Sequence, residues 1–564
     1  MTSDPSAPRW PYCGHGADLA AGGPVGCRGR SVEPNTSCLA HLADGDRGTY
    51  LASLAPGNDV DHRGTEFDAT LLMELLDALI DPTTGHARIG EARFDEVTFG
   101  CDVSFEGVTF YGEAWFDGAT LTSGAEFTKA IFCQGAWFGG ATFVYGAEFL
   151  ETTFRTDAWF VHAIFGGDTR FSGAVFGGDV RFDGAIFDGI AMFFRAAFEK
   201  ATLVGPLACS TVIDFREASF TGPVVIQAAA AELNCTRTRW ESAAIMRLRL
   251  ADVDLSDAVF EYPLKISSRS SPFHAGDGSL LDESVVTLGD PTVRILSLRG
   301  VDCAHLVLSD VDLTECLFSG AVHLDQVRME GVCPLAQVPE GIRRRGSLPV
   351  RWTPRRTLAE EHHWRVARGG AGWSAAPAGT DHTGPASLAS VYRQLRKSFE
   401  DSKNEPGAAD FYYGEMEMRR HDPATPRAER WLLAGYWGLS GYGLRATRAL
   451  IWLLTAMTVT LLAMMLWGLP TNDPKTETKG RLRGTEIALT AETSAPLNPS
   501  GSWHQRLSIE RFDKSLQVVF NSVIFRSSGQ NLTTTGTYME MASRLAEPVL
   551  LGLALLAIRG RIKR

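Results

Sequence analysis

ARFDEVTFGCDVSFEGVTFYGEAWFDGATL, residues 92–121, repeats its pattern every eleven positions. Phe94, Phe105 and Phe116 recur at that step. The series continues through Phe127, Phe138, Phe149, Phe160, Phe171, Phe182 and Phe193 to Phe215, with Val204 the one change of type. A second series, five residues later, runs Phe99, Phe110, Leu121, Phe132, Phe143, Phe154, Phe165, Phe176, Phe187, Phe198, Cys209 and Phe220. Small residues sit two places ahead, as Ala92, Val103 and Ala114 do for the first series and Ala119, Ala130 and Ala141 for the second.

A fixed short period is the mark of a solenoid. An eleven-residue period also suits a right-handed coiled coil. The composition opposes that reading: Gly occurs in most units beside Thr, Val and Phe, and each glycine would weaken a long helix. Short strands joined by tight corners suit Gly, Asp and Thr better. The expected fold class is therefore mainly β, a β-solenoid.

The unit small-x-Phe-x-x-small-x-Phe resembles the pentapeptide-repeat family, whose fives carry a large apolar centre two places after a small residue. The resemblance implies a right-handed quadrilateral β-helix with four fives to a coil. Each pair of fives here has one extra residue, so a coil should take about 22 residues. Phe94, Phe116, Phe138, Phe160 and Phe182 would then stack as a core ladder. Plain fives return at Ile245, Leu250, Leu255 and Phe260, and at Leu298, Cys303, Leu308, Leu313 and Phe318. The resemblance covers roughly residues 91–330, with a break in the period at 261–297 that reads as an insertion, either a loop or a pair of strands. It fixes no activity, because such rods serve many ends.

The chain has 564 residues, enough for several domains, and a formal charge of −12, which gives no general attraction to nucleic acid. Its start, Met-Thr-Ser-Asp-Pro, has no signal-peptide pattern. Residues 1–45 hold Cys13, Cys27, Cys38 and His41 in a polar, Gly- and Pro-rich segment too poor in apolar residues to build a core. Cys38-x-x-His41 has ligand-pair spacing, and Cys13 and Cys27 would complete a tetrahedral zinc site; scattered reduced thiols are the other reading. Residues 46–90 read as a helical cap, with Leu71, Leu72, Leu75, Leu76 and Leu79 on one face.

Acids at outward positions, including Asp95, Glu96, Glu106, Glu113, Asp117 and Asp183, raise the family's topoisomerase-binding DNA mimics as an implied use. Arg155, Arg170, Arg181, Arg195 and Arg216 interrupt that acid, and solubility is the plainer role. No catalytic constellation stands out, so an enzyme is not expected. Residues 331–385 read as a basic and flexible linker, in which Arg343, Arg344, Arg345, Arg351, Arg355 and Arg356 would suit anionic lipid heads. Residues 386–422 read as a helical hairpin similar to one tetratricopeptide-like unit, as found ahead of the membrane segment in bacterial membrane proteins with pentapeptide repeats. It needs something else to pack on.

Residues 428–564 form the expected membrane domain. Ala449–Leu469 is free of charge and long enough to cross a bilayer. The second span, about 538–558, contains Glu540, Arg544 and Glu547 on one face, where they would neutralise one another. Arg445 and Arg448 before the first span and the basic tail after the second place both flanks, both termini and the solenoid in the cytoplasm of a two-span plasma-membrane protein. Residues 515–537 suit a re-entrant segment. The order of span, short helix, Thr/Gly-rich loop and span resembles two-helix potassium channels, and Thr533, Thr534, Thr535 and Gly536 would be the pore loop. Tyr538 stands where the filter's second glycine would be and no Asp follows.

Two functions follow. One is a non-enzymatic scaffold, anchored in the lipid bilayer, whose solenoid or hairpin engages a protein partner. The other is an oligomeric channel-like protein, a homo-oligomer with residues 515–538 lining a pore. A soluble DNA mimic ranks third. Zinc is the one cofactor the sequence raises.

Overall fold

The computed structural model describes residues 7–17, 25–286, 292–345, 348–377, 379, 382–471, 476–483, 486–493, 497–500, 502–524 and 526–562. The chain forms two compact units, Met1–Thr383 and Gly384–Arg564.

The first unit is a β-solenoid of about 11 turns. One coil contributes four two-residue strands, such as Ala92–Arg93, Thr98–Phe99, Val103–Ser104 and Thr109–Phe110. Each pairs in parallel with its counterpart one coil on: Ala92 with Ala114, Thr98 with Thr120, Val103 with Ala125, Thr109 with Ile131. Strands this short are stable only because every coil hydrogen-bonds to the next, as Phe94 N donates to Trp115 O at 2.8 Å. The extra residue of each eleven turns the corner. Glu96, Lys129, Glu151, His162 and Arg195 take left-handed backbone there, and Gly107, Gly118, Gly140, Gly173 and Gly184 take it at the same step. Such a corner costs an L-residue roughly 1–2 kcal/mol, which is why glycine recurs there.

Both Phe series point inward and are fully buried. The rings stack along the axis, Phe116 on Phe138 at 4.9 Å, Phe138 on Phe160 at 4.9 Å and Phe160 on Phe182 at 5.0 Å, all nearly parallel. Neighbouring ladders meet edge to face, as Phe149 and Phe160 do at 5.6 Å. Small residues, mostly alanine, are buried two places before each ring, where the strand enters the core.

The coil tightens in the longer strands Leu203–Asp214 and Val224–Asn234, whose pairing slips between Val204 and Leu207 and between Cys209 and Val212. Beyond them Ser219 pairs with Arg239 and Arg239 with Val259, a shorter step than the one from Ala92 to Ala114. The plain fives at Leu255, Phe260, Leu298, Cys303, Leu308, Leu313 and Phe318 all reach the core. Ile245 and Leu250 do not, which corrects the sequence reading. Strand Ala244–Arg249 alternates instead, burying Ala244, Met246 and Leu248, and Leu250 turns left-handed to hand the core on to Ala251 and Val253.

The insertion is narrower than 261–297. Leu264–Ser268 pairs with residues 244–248 and Arg294–Ser297 with 252–254, so both belong to the coils. Described residues between them fold back along the solenoid. Phe273 and Leu281 pack on Ala208, Glu283 pairs with Arg249 at 2.8 Å, and Asp277 meets His162 at 3.1 Å. His162 is thus a contact for the insertion.

The solenoid begins before Phe94. Val60 pairs with Ala92 and Glu66 with Thr98, a longer step than the one from Ala92 to Ala114, because a helix over Ala69–Asp77 is spliced into this coil. Helices α1 (Asp44–Ser53) and α2 (Ala69–Asp77) cover this end, with Leu71, Leu72, Leu75 and Leu79 buried. His62 lies over Phe67 and Phe94, and burial lowers its pKa to about 4, so it enters the core neutral. The other end is closed by α3 (Ala359–Val366), where Glu360 accepts from the backbone of Phe318 and Ser319. Part of the expected linker is therefore a cap. Arg355 is no lipid contact: it is buried against Glu361 at 2.6 Å, and Arg365 shares that carboxylate at 2.7 Å. The side chains of Arg343, Arg344, Arg345 and Arg351 lie outside the described residues.

In the second unit, α4 (Pro385–Asp401) and α5 (Glu405–His421) form the expected hairpin. Phe411 packs on Tyr392 and Phe399, and Glu415 takes Arg393 at 3.0 Å and Arg396 at 2.8 Å. Its open face is covered by α6 (Arg427–Ser440): Tyr413 and Met416 cluster with Tyr442, Leu433 and Trp437, and Tyr442 donates to Glu417 at 3.0 Å. Helix α7 (Ala446–Ala463) runs into a π-helical turn, Met464–Gly468. An antiparallel pair, Thr476–Arg483 with Glu486–Thr493, precedes α8 (Trp503–Arg506), α9 (Ile509–Val523) and α10 (Thr534–Ile562).

Candidate functional site

Cys13, Cys27, Cys38 and His41 converge. Cys38 and His41 flank a 3₁₀ turn, Leu39–His41, which brings Cys38 Sγ to 3.3 Å from His41 Nδ1. The other two arrive by pairing of the chain with itself: Tyr12 bridges Arg30, Cys13 N donates to Gly29 O at 2.8 Å, and Gly14 N to Cys27 O at 2.9 Å. Cys13 Sγ then lies 3.7 Å from His41 Nδ1, and Cys27 Sγ 3.7 Å from Cys38 Sγ. The four candidate donor atoms all lie within 4.8 Å of one another. Gly29 N points at Cys27 Sγ at 3.4 Å, and the His15 ring stacks on His41 at 4.3 Å. Burial first, then the neighbouring Cys27 and Cys13, push the Cys38 thiol up to about 12. Soft sulfur and nitrogen donors in this number suit a d¹⁰ cation.

The cluster sits against the first coil. A Cβ on Gly29 would fall 2.8 Å from Cys38 Cβ and 3.0 Å from Thr65 Oγ1, so only glycine fits between them. Arg30 N donates to Arg63 O at 2.8 Å, Arg63 lies over the Trp10 ring at 5.0 Å, and Arg28 pairs with Glu96 at 2.8 Å.

In the second unit two helices, Ala446–Gly468 and Thr534–Arg559, have the length and apolar character to cross a membrane. Leu450, Ile451, Leu454, Val459 and Leu462 on the first, and Leu545, Val549, Leu555 and Leu556 on the second, are exposed. Glu547 turns inward: fully buried, it accepts from Thr460 at 2.9 Å and from Ser522 on α9. Glu540 accepts from Ser528 N at 2.7 Å. These acids are satisfied by hydroxyl and amide donors, a solution the charge pattern alone did not disclose.

Thr533, Thr534, Thr535 and Gly536 lie at the start of α10. Thr533 is its N-cap, with Oγ1 accepting from Gly536 N at 3.1 Å and donating to Trp467 O at 2.8 Å. Gly536 meets the backbone of Gly468, where a Cβ would come within 2.3 Å of a carbonyl oxygen. The open carbonyls at the end of the first of these helices are taken by Arg511, which donates to Met465 O, Leu469 O and Pro470 O at 2.8–3.0 Å, and by Arg506, which donates to Leu466 O at 3.0 Å. α9 thus serves as a brace for that helix terminus.

One outward feature escaped the sequence reading. Trp115, Trp137 and Trp159, spaced by one coil, form a ladder at 5.1 and 4.6 Å, with Arg93 and Arg181 over its two ends. Their recurrence once per coil was the available signal. Four of the outward acids are structural: Asp102, Asp117, Asp157 and Asp168 each accept from a backbone N–H one coil on, at 2.6–3.0 Å.

Residues 105–153 and 149–197 match the family model described as pentapeptide repeats (9 copies). No curated protein and no solved structure matches the chain.

Proposed function

We propose, from the premise that the repeats of residues 105–197 belong to the pentapeptide-repeat family, that this chain is a membrane-anchored scaffold without chemistry of its own. One observation carries the reading: two span-length helices in one unit leave their aliphatic side chains outside and turn Glu547, Ser522 and Thr460 inward. A soluble bundle buries the opposite set. Arg445 and Arg448 at the start of the first span, with the basic end of the chain, favour a cytoplasmic solenoid. Its rigid faces supply the surface for a protein partner. Nucleic acid is disfavoured, because Asp102, Asp117, Asp157 and Asp168 are engaged in coil-to-coil bonds and arginines pair with other acids of the rod, as Arg195 does with Glu217 at 2.7 Å.

The channel alternative draws on the short helix Ile509–Val523 between the spans. The engagement of Thr533 and Gly536 with the first span supports an anchor over a filter.

The expected outcome of cell fractionation is that the full-length chain resists alkaline carbonate extraction, while a chain ending at Thr383 is recovered in the soluble fraction. A full-length chain released by carbonate would overturn the anchor. A truncated chain still held as an integral protein would place it elsewhere.

A further inference from the structure

We propose that Cys13, Cys27, Cys38 and His41 bind one zinc ion that locks the N-terminal segment onto the first coil of the solenoid. This goes beyond the anchoring reading and does not depend on it.

The distances carry the proposal. With Zn–S at about 2.3 Å and Zn–N at about 2.05 Å, a tetrahedral centre has S···S edges of about 3.8 Å and S···N edges of about 3.6 Å. The cluster shows 3.7 Å between Cys27 and Cys38, and 3.3 and 3.7 Å from His41 Nδ1 to Cys38 and Cys13. A disulfide needs its sulfurs at bonding distance, little more than half that separation, so the observed spacing suits a shared cation better than a bond between the thiols. Four protein donors leave no open position, which makes the centre structural. Binding would release the three thiol protons to solvent and leave His41 neutral, ligating through Nδ1.

The surroundings fit a built site. Cys38 is fully buried, Gly29 leaves room for its sulfur, and the Gly29 amide is directed at Cys27 Sγ. An amide aimed at a thiolate is the outer-shell support metal sulfurs receive. The donors come from three places along residues 13–41, and the same segment touches Arg63, Thr65 and Glu96 of the first coils. The ion would therefore fix a polar segment with little apolar content against the first coil, adding to the cover that α1 and α2 give this end of the rod.

The test is metal analysis of the full-length protein, purified in detergent under reducing conditions without chelator. About one zinc per chain is expected in the wild type, falling below about one tenth in His41→Ala and in Cys13→Ser, and returning to about one in His41→Cys. Cobalt substituted for zinc should give the visible absorption of a tetrahedral thiolate centre. Because Cys13 and His41 lie at the surface side of the cluster, the variants should keep the β signal of the solenoid while residues 7–17 and 25–42 become protease-sensitive. Three results would overturn the proposal. They are a wild type that stays below about one tenth zinc after reconstitution, a full zinc equivalent in the Cys13→Ser/His41→Ala double variant, or a Cys27–Cys38 disulfide in protein taken directly from cells.

Discussion

Phe160→Asp is expected to destroy the cooperative fold of the solenoid. Phe160 lies between Phe138 at 4.9 Å and Phe182 at 5.0 Å, with Phe149 and Phe171 edge-on at 5.6 and 5.5 Å. Emptying such a position costs about 3–5 kcal/mol, and an unpaired carboxylate in an all-aromatic stack adds several more. The total reaches the roughly 5–15 kcal/mol that holds an ordinary domain together. A solenoid passes stability only from coil to neighbouring coil, so a broken central coil separates the rod into two ends with new open faces. Circular dichroism should show loss of most β signal, and proteolysis should cut first between Phe138 and Phe182. An unchanged melting curve would contradict the stacked core.

Glu361→Ala is expected to release the C-terminal end of the rod. Glu361 is fully buried and holds two guanidinium groups, Arg355 and Arg365, themselves almost wholly buried. Removing the shared carboxylate takes away the anion that both guanidinium groups bond, a loss of about 3–5 kcal/mol by the usual cost of breaking a buried pair. Glu360 next to it still reaches the backbone of Phe318 and Ser319, so the last coils should loosen before the central ones. Hydrogen exchange should rise over residues 298–335 and stay slow over 94–200. Uniform protection in the variant would mean that α3 is no cap. Glu361→Gln, which keeps the shape and loses the charge, should fall between the two.

The central coils were legible because each residue type does one thing. The inward Phe recurs at a fixed step, alanine marks where the chain enters the core, and glycine marks the left-handed corner. Legibility fails where a local rule interrupts the period. Helix α2 stretches the first coil, from Val60 to Ala92 where the next runs from Ala92 to Ala114, and hides Val60 and Phe67 from the count. The slip in Leu203–Asp214 and the corner at Leu250 move the core set by one, so extrapolating the fives through Ile245 misplaces Ile245 and Leu250. The two helices long and apolar enough to cross a membrane were legible from length and charge alone. Thr533–Gly536 resembles a filter in composition, and Thr-x-x-Gly before an apolar run is also the grammar of a helix cap, with Thr533 Oγ1 accepting from Gly536 N.

The candidate site divides in the same way. Cys38 and His41 were readable together because a single tight turn carries both. Cys13 and Cys27 were readable only as types, because a bridge between Tyr12 and Arg30 brings them in, and no spacing rule encodes that. Arg355 reads as a surface charge in the sequence because its partner, Glu361, comes from the next helix.

The measurement that bears most directly on a non-conducting anchor is ion flux through liposomes carrying the full-length, detergent-purified protein, with incorporation verified in the same vesicles. The scaffold account predicts potassium and sodium flux no greater than in protein-free liposomes at any protein density. Flux that rises with the amount of incorporated protein would contradict it and make the segment between the two spans a pore.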